Sequence, residues 1–227
     1  NRTVYLTFSQ GSPEGAGTSL FRARLTETAN TGYVLESGET IFRGNNKAYG
    51  GRHFGSRLAF APDGNLFMTV GERGDGPRAQ DPSDHAGSVL RLTPDGDPAP
   101  GNPFLNAEAV QPEIWSMGHR NPQAAAINPW TGALWTVEHG ARGGDEINIP
   151  EAGRNYGWPV ISFGRHYSGG KIGEGTEKAG LEQPIHYWDP SIAPSGMAFV
   201  TSEKYPDWQG DLLVGALRGR HLARLEL

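Results

Sequence analysis

The stretch RLAFAPDGNLFMTVGERG, from Arg57 to Gly74, decides the fold. It reads as a short apolar strand, a turn at Asp63-Gly64, a second and more apolar strand, and then a polar cluster. Asp-Gly between two apolar runs is a strong hairpin signal. The unit returns as AAAINPWTGALWTVEHG, Ala124–Gly140, with its turn at Thr131-Gly132, and again as MAFVTSEKYPDWQGDLLVGALRG, Met197–Gly219. Each copy leads into a short alternating strand: Val89-Leu90-Arg91-Leu92, then Glu146-Ile147-Asn148-Ile149, then Leu222-Ala223-Arg224-Leu225. Alternation of this kind predicts one buried and one solvated face. The opening runs VYLTFS and SLFRARL read as an incomplete earlier copy.

Strand, turn and strand, repeated with no helical stretch between, predict an all-β chain with the logic of a β-propeller. A β-sandwich with long hairpins reads from the same strands and stays open as an alternative. The repeats account for about four blades in a single domain over residues 1–227. A propeller removes its edge strands by closing a ring, so the domain is expected to be incomplete at both ends. The extra length between copies lies in loops at 73–87 and 153–184. Long loops on a rigid scaffold are where function concentrates.

Composition bounds the chemistry. Twenty basic and 25 acidic residues give a net charge of −5, and no basic run occurs, which argues against a nucleic-acid partner. There is no cysteine, so thiolate metal sites and disulfides are excluded. No apolar run approaches the ~18 residues of a membrane span. Metalloprotease, serine-hydrolase, P-loop and dinucleotide fingerprints are all absent. The acidic, glycine-rich run at 72–84 lacks the spacing of an EF-hand, and His85, His166, His186 and His221 lack mutual zinc-ligand spacing.

The repeats place polar residues at one end of the sheets. His53, Arg120-Asn121 and Ser191 precede the first strands, while Glu72-Arg73, Glu138-His139-Gly140-Ala141 and Leu217-Arg218 follow the second. Hairpin strands are antiparallel, so both sets share one mouth. Each residue alone has a structural reading: a hydrogen-bonded His53, an Arg120 on a turn carbonyl, Glu146 at a strand edge, Tyr156 and Trp158 as loop packing.

At this point the chain resembles the soluble, PQQ-dependent aldose sugar dehydrogenases, six-bladed propellers related to soluble quinoprotein glucose dehydrogenase. The segments HFGSRL (53–58), GHRNPQ (118–123), EHG (138–140), GDEIN (144–148), NYGWP (155–159) and IAPSG (192–196) carry the resemblance in order. Trp130 and Gly143-Gly144-Asp145-Glu146 fit the aldose-type branch. The resemblance implies oxidation of the C1 hydroxyl of an aldose to a lactone, with hydride transfer to PQQ and an external electron acceptor. It makes His53 the general base. Arg120, Asn121, Tyr167, Ala216, Leu217 and Arg218 are implied as PQQ contacts, Arg218 standing where the family usually has Lys. The carbonyls of Gly140 and Ala141 are implied to hold Ca²⁺ beneath the PQQ, and Glu146 and Tyr156 to bind a second, structural Ca²⁺. A periplasmic or secreted location and an incomplete PQQ pocket in this stretch also follow from the resemblance. Two other readings remain: a calcium-dependent lactonase, which needs convergent side-chain ligands, and a non-catalytic sugar- or protein-binding propeller.

Overall fold

In the computed structural model, residues 2–29 and 32–227 are described. At the deciding stretch, Asp63 Oδ1 accepts the Asn65 N–H at 3.0 Å and Gly64 takes φ +86°, the left-handed conformation the turn needs. At the next copy, Asn128 Oδ1 accepts the N–H groups of Trp130 and Thr131 at 2.9 and 3.0 Å. These turns set the hairpins β4 (Leu58–Phe60) with β5 (Leu66–Val70), and β8 (Pro122–Ile127) with β9 (Leu134–Glu138).

Each hairpin extends outward into an antiparallel sheet. β5 pairs with β6 (Ser88–Leu92), which pairs with β7 (Ile114–Ser116); β9 pairs with β10 (Asp145–Asn148), which pairs with β11 (His186–Trp188). A three-stranded sheet precedes them, β1 (Arg2–Ser12), β2 (Gly15–Thr28) and β3 (Gly32–Arg43), and another follows, β12 (Pro194–Phe199), β13 (Leu212–Ala216) and β14 (His221–Leu225). The outer strands β7 and β11 follow long loops and carry no turn signal of their own.

Three apolar cores glue the four sheets face to face in chain order. Leu20 and Phe42 pack with Leu66, Met68, Leu90 and Ile114 between the first and second sheets. Ala59, Phe67 and Val89 meet Leu134 between the second and third. Trp135, Val137 and Ile147 meet Leu212 and Val214 between the third and fourth. This is the blade stacking of a β-propeller. It explains why β5, β6 and β9 are buried at every position, whereas β13 alternates.

The expected solvated face of Val89–Leu92 is therefore corrected: Arg91 is buried. Its guanidinium pairs with Asp63, donates to the Pro100 carbonyl at 2.9 Å, and lies over the Trp115 ring at 5.2 Å. A cation in a core needs such partners. The two long loops contain no strand, only a 3₁₀ turn at Gly76–Gln80 and isolated bridges.

Candidate functional site

His53 lies in the connection from β3 to β4, and Glu72 lies just beyond β5, so the β4–β5 hairpin brings them together. Nδ1 of His53 is 2.6 Å from Oε1 of Glu72, whose side chain is 2% exposed against 15% for the imidazole. The other Glu72 oxygen accepts the Gly74 N–H. A carboxylate at Nδ1 fixes the Nδ1–H tautomer and leaves Nε2 as the basic nitrogen. Nε2 has no protein partner among the described residues.

The backbone at His53 is held in an unfavourable conformation, φ +55°, which costs a β-carbon residue roughly 1–2 kcal/mol. Arg73 maintains it. Its guanidinium lies over the Phe54 ring, 3.3 Å from the centroid, and donates to the carbonyls of Arg52 and, at 2.6 Å, Gly50. Gly71 supplies the room: a Cβ there would sit 2.2 Å from the His53 carbonyl oxygen.

A second His–Glu pair is built at the next repeat. Nδ1 of His119 is 2.9 Å from Oε1 of Glu138, again 19 residues apart. Here Nε2 is engaged by Ser116 Oγ at 2.9 Å, the ring stacks on Tyr156, and both His119 and Ser116 are fully buried. Oε2 of Glu138 accepts the N–H groups of Arg120 and Asn121 at 2.6 and 3.2 Å. Burial favours the neutral acid, but His119 and these two N–H groups outweigh it and hold Glu138 below the usual carboxylate range.

Thus locked, Asn121 accepts the Gly55 N–H on Oδ1 at 3.1 Å, tying the His53 loop to the third sheet. Arg120 donates to the His139 carbonyl at 3.1 Å and lies over the Trp158 ring, with its Nε buried and unpartnered. His139 continues the chain by bonding Pro194 O at 2.6 Å. Asp145, fully buried, closes the seam: it accepts the Gly140 N–H at 2.8 Å, Ser191 Oγ at 2.7 Å and the Ile192 N–H at 2.7 Å.

Gly140, Ala141, Tyr167 and Arg218 line one open cleft of about 410 Å³, within the usual range of small-molecule sites. Tyr167 is 72% exposed and Leu217 64%, whereas Ala216 is buried at the end of β13, where it pairs with His221. Arg120 instead lines a narrow inner cavity with Glu138, Glu146, Tyr156 and Trp158. The expected residues therefore fall into three adjoining groups: His53 with Asn121, Arg120 with Glu146 and Tyr156, and the open cleft.

The donor set suits a hard cation at two places. A Cβ on Gly140 would lie 2.2 Å from Gly143 O and 2.3 Å from Gly144 O, so this backbone is rich in carbonyl oxygens. The Glu146 carboxyl is pushed up to about 8, first by burial and then by the Glu138 charge; a cation relieves both. The Tyr156 phenol is already committed, donating to Ile149 O at 2.5 Å and accepting the Glu151 N–H at 3.0 Å. A cation there has only the Tyr156 backbone carbonyl to use. Among the described residues no three His, Asp or Glu side chains converge on a metal position.

Sequence reasoning put Glu72, Arg73 and Glu138 at the mouth without their partners, and quoted Asp145 without its knot. The readable signal was the equal His53–Glu72 and His119–Glu138 separation in successive repeats.

The family described as glucose / sorbosone dehydrogenase matches residues 1–227. The aldose sugar dehydrogenase YliI of Escherichia coli K12 is 46% identical over 223 residues, covering 97% of this chain and 59% of that protein. The chain thus spans less than two thirds of that relative's length. The crystal structure of the soluble E. coli aldose sugar dehydrogenase in its apo form superposes with a TM-score of 0.95 at 44% identity, covering 100% of this chain and 65% of that one. The PQQ-bound form of the aldose sugar dehydrogenase from Streptomyces coelicolor gives 0.78 at 34% identity, covering 99% and 58%.

Proposed function

This chain belongs to the glucose / sorbosone dehydrogenase family, and from that premise we propose that the protein oxidises the C1 hydroxyl of an aldose to the lactone, using PQQ and calcium. The observation that carries the reading is the His53–Glu72 pair: a buried carboxylate 2.6 Å from Nδ1, with Nε2 left without a protein partner among the described residues. His53 Nε2 takes the C1 hydroxyl proton as the C1 hydride departs with its electron pair. An imidazole whose Nε2 is open to the hydroxyl suits that transfer. Glu72 holds the proton of the neutral ring on Nδ1, so that Nε2 is the accepting nitrogen, and stabilises the imidazolium once the proton arrives.

Arg120, Asn121, Tyr167 and the Ala216–Arg218 segment are the residues proposed to hold PQQ. Arg120 Nε is a buried donor with no protein partner, and arginine suits bidentate contact with a carboxylate. The carbonyls of Gly140 and Ala141 are proposed to hold one calcium, and Glu146 with the Tyr156 carbonyl another. Bound PQQ would supply the hydride acceptor, and bound calcium a Lewis acid. An external electron acceptor is a further proposed partner. The proposed location is periplasmic or secreted; among the described residues no helix is long and apolar enough to cross a membrane.

The test is dye reduction by the full-length protein reconstituted with PQQ and Ca²⁺, with glucose and other aldoses as donors. Activity that falls at least a hundredfold in His53→Ala is expected. No activity in the intact reconstituted protein, or full activity in the variant, would refute the reading.

A further inference from the structure

Beside the mouth lies a second cleft, of about 460 Å³, lined by Arg142, Arg165, Arg218 and Asp189. Arg142 and Arg165 face each other across an antiparallel bridge: the Arg142 N–H donates to Arg165 O at 2.9 Å, and the Arg165 N–H to Arg142 O at 3.1 Å. Arg165 is in turn bridged to Lys171. Residues directly opposite in such a pair share one face, and like charges there are destabilising. Lys171 directs its ammonium to the Glu174 carbonyl. Among the described residues no carboxylate lies within ion-pair distance of Arg142, Arg165 or Arg218, Asp189 included. Arg142 and Arg165, both exposed and neither ion-paired to a carboxylate among the described residues, leave this cleft able to take an anion from outside.

We propose that this cleft is an anion subsite of the substrate site, taking the carboxylate or phosphate of an acidic aldose whose C1 end lies in the mouth. The inference rests on the dehydrogenase reading above. Two observations favour a substrate-borne anion. Arg142 and Arg218 line both clefts, so one molecule can occupy the mouth and reach the guanidinium groups together. The cleft is also concave and of small-molecule size, and arginine binds carboxylate and phosphate through paired N–H groups.

The test measures binding rather than turnover. Full-length protein, without and with PQQ and Ca²⁺, is titrated calorimetrically with glucuronate, glucose 6-phosphate, glucose and inorganic phosphate. The same titrations are run on Arg165→Gln and on Arg142→Gln/Arg165→Gln. At least one of the two acidic sugars is expected to bind about fivefold more tightly than glucose at low salt, the worth of one well-placed surface ion pair. That ratio should fall towards one in the double variant and at high salt. Equal affinities in the wild type, or a ratio unchanged in the double variant, would overturn the proposal. So would inorganic phosphate binding as tightly as the sugar phosphate, which would mark a free-anion site. A preference lost once PQQ is bound would assign the arginines to the cofactor's carboxylates and also overturn it. Dye reduction with glucose reports separately on the dehydrogenase reading: activity without an acidic preference sinks the subsite alone.

Discussion

Replacing Glu72 by Gln isolates the tautomer argument. In the wild type both Glu72 oxygens accept: one from His53 Nδ1 at 2.6 Å, the other from the Gly74 N–H. A glutamine has one oxygen to offer. If it serves Gly74, the NH₂ group faces Nδ1, which must become the acceptor, and the proton moves to Nε2, where it blocks base catalysis. If it serves His53, two N–H donors meet at Gly74, and a buried unsatisfied donor costs about 1–3 kcal/mol. At 1.36 kcal/mol per decade, the competent tautomer falls by roughly 5- to 150-fold. The assay is dye reduction by the reconstituted full-length protein, with kcat and KM resolved and thermal melting run in parallel. kcat should drop about 10- to 100-fold with KM little changed. Glu72→Asp, which keeps two acceptor oxygens, should lose less than Glu72→Gln. Unaltered kcat in Glu72→Gln, or an aspartate variant worse than the glutamine, would refute the reasoning.

Arg73→Met should lower stability by about 2–3 kcal/mol in urea unfolding, because it strips charged donors from the Gly50 and Arg52 carbonyls; kcat should fall with it as the His53 loop relaxes. Glu113 is raised by burial but held below its ordinary pKa by the 3.1 Å hydrogen bond from His85. Its stabilisation is therefore present above the unfolded carboxylate range near pH 4.5 and lost as pH falls through the depressed folded value. Glu113→Gln should cost about 1 kcal/mol at pH 7 and flatten the acid limb of a stability–pH curve measured from pH 7 to 3. Glu146→Gln should leave Tm in EGTA little changed at pH 7, where a carboxyl pushed up to about 8 is mostly neutral, should raise it at pH 9, where the wild type carries a charge facing Glu138, and should abolish the Tm increase that Ca²⁺ is expected to give the wild type.

The blade pattern was readable because each hairpin carries its own local signal: a turn residue with a stated geometry and two apolar runs. β7 and β11 escaped because a three-residue outer strand is defined by its partner. Arg91 was misplaced for a related reason. Period-two alternation reports how a strand meets one neighbouring layer, and β6 has a layer on each side. In the candidate site, the residue types and the shared end of the sheets followed from antiparallel geometry. The partners did not, because Asn121 to Gly55 and Asp145 to Ser191 join residues 66 and 46 positions apart. The partners of the Tyr156 phenol, Ile149 O and the Glu151 N–H, are likewise visible only in the fold.

The two His–Glu pairs differ in what they leave open: the imidazole proposed as the base keeps a free Nε2, and the other is enclosed. Separation, contacting atoms and carboxylate burial are nearly the same in both. The difference lies at Nε2. In the third-sheet pair, Ser116 and the Tyr156 ring enclose it, so the pair's remaining capacity goes to the Arg120 and Asn121 N–H groups. In the second-sheet pair, His53 has a positive φ and a side chain 15% exposed, and Nε2 is left without a protein partner among the described residues. The buried pair then acts on the open one, since Glu138 fixes Asn121 and Asn121 holds Gly55, two residues from His53. The loop that carries the proposed base is therefore tied across a blade boundary, through the Gly55 N–H to Asn121 Oδ1.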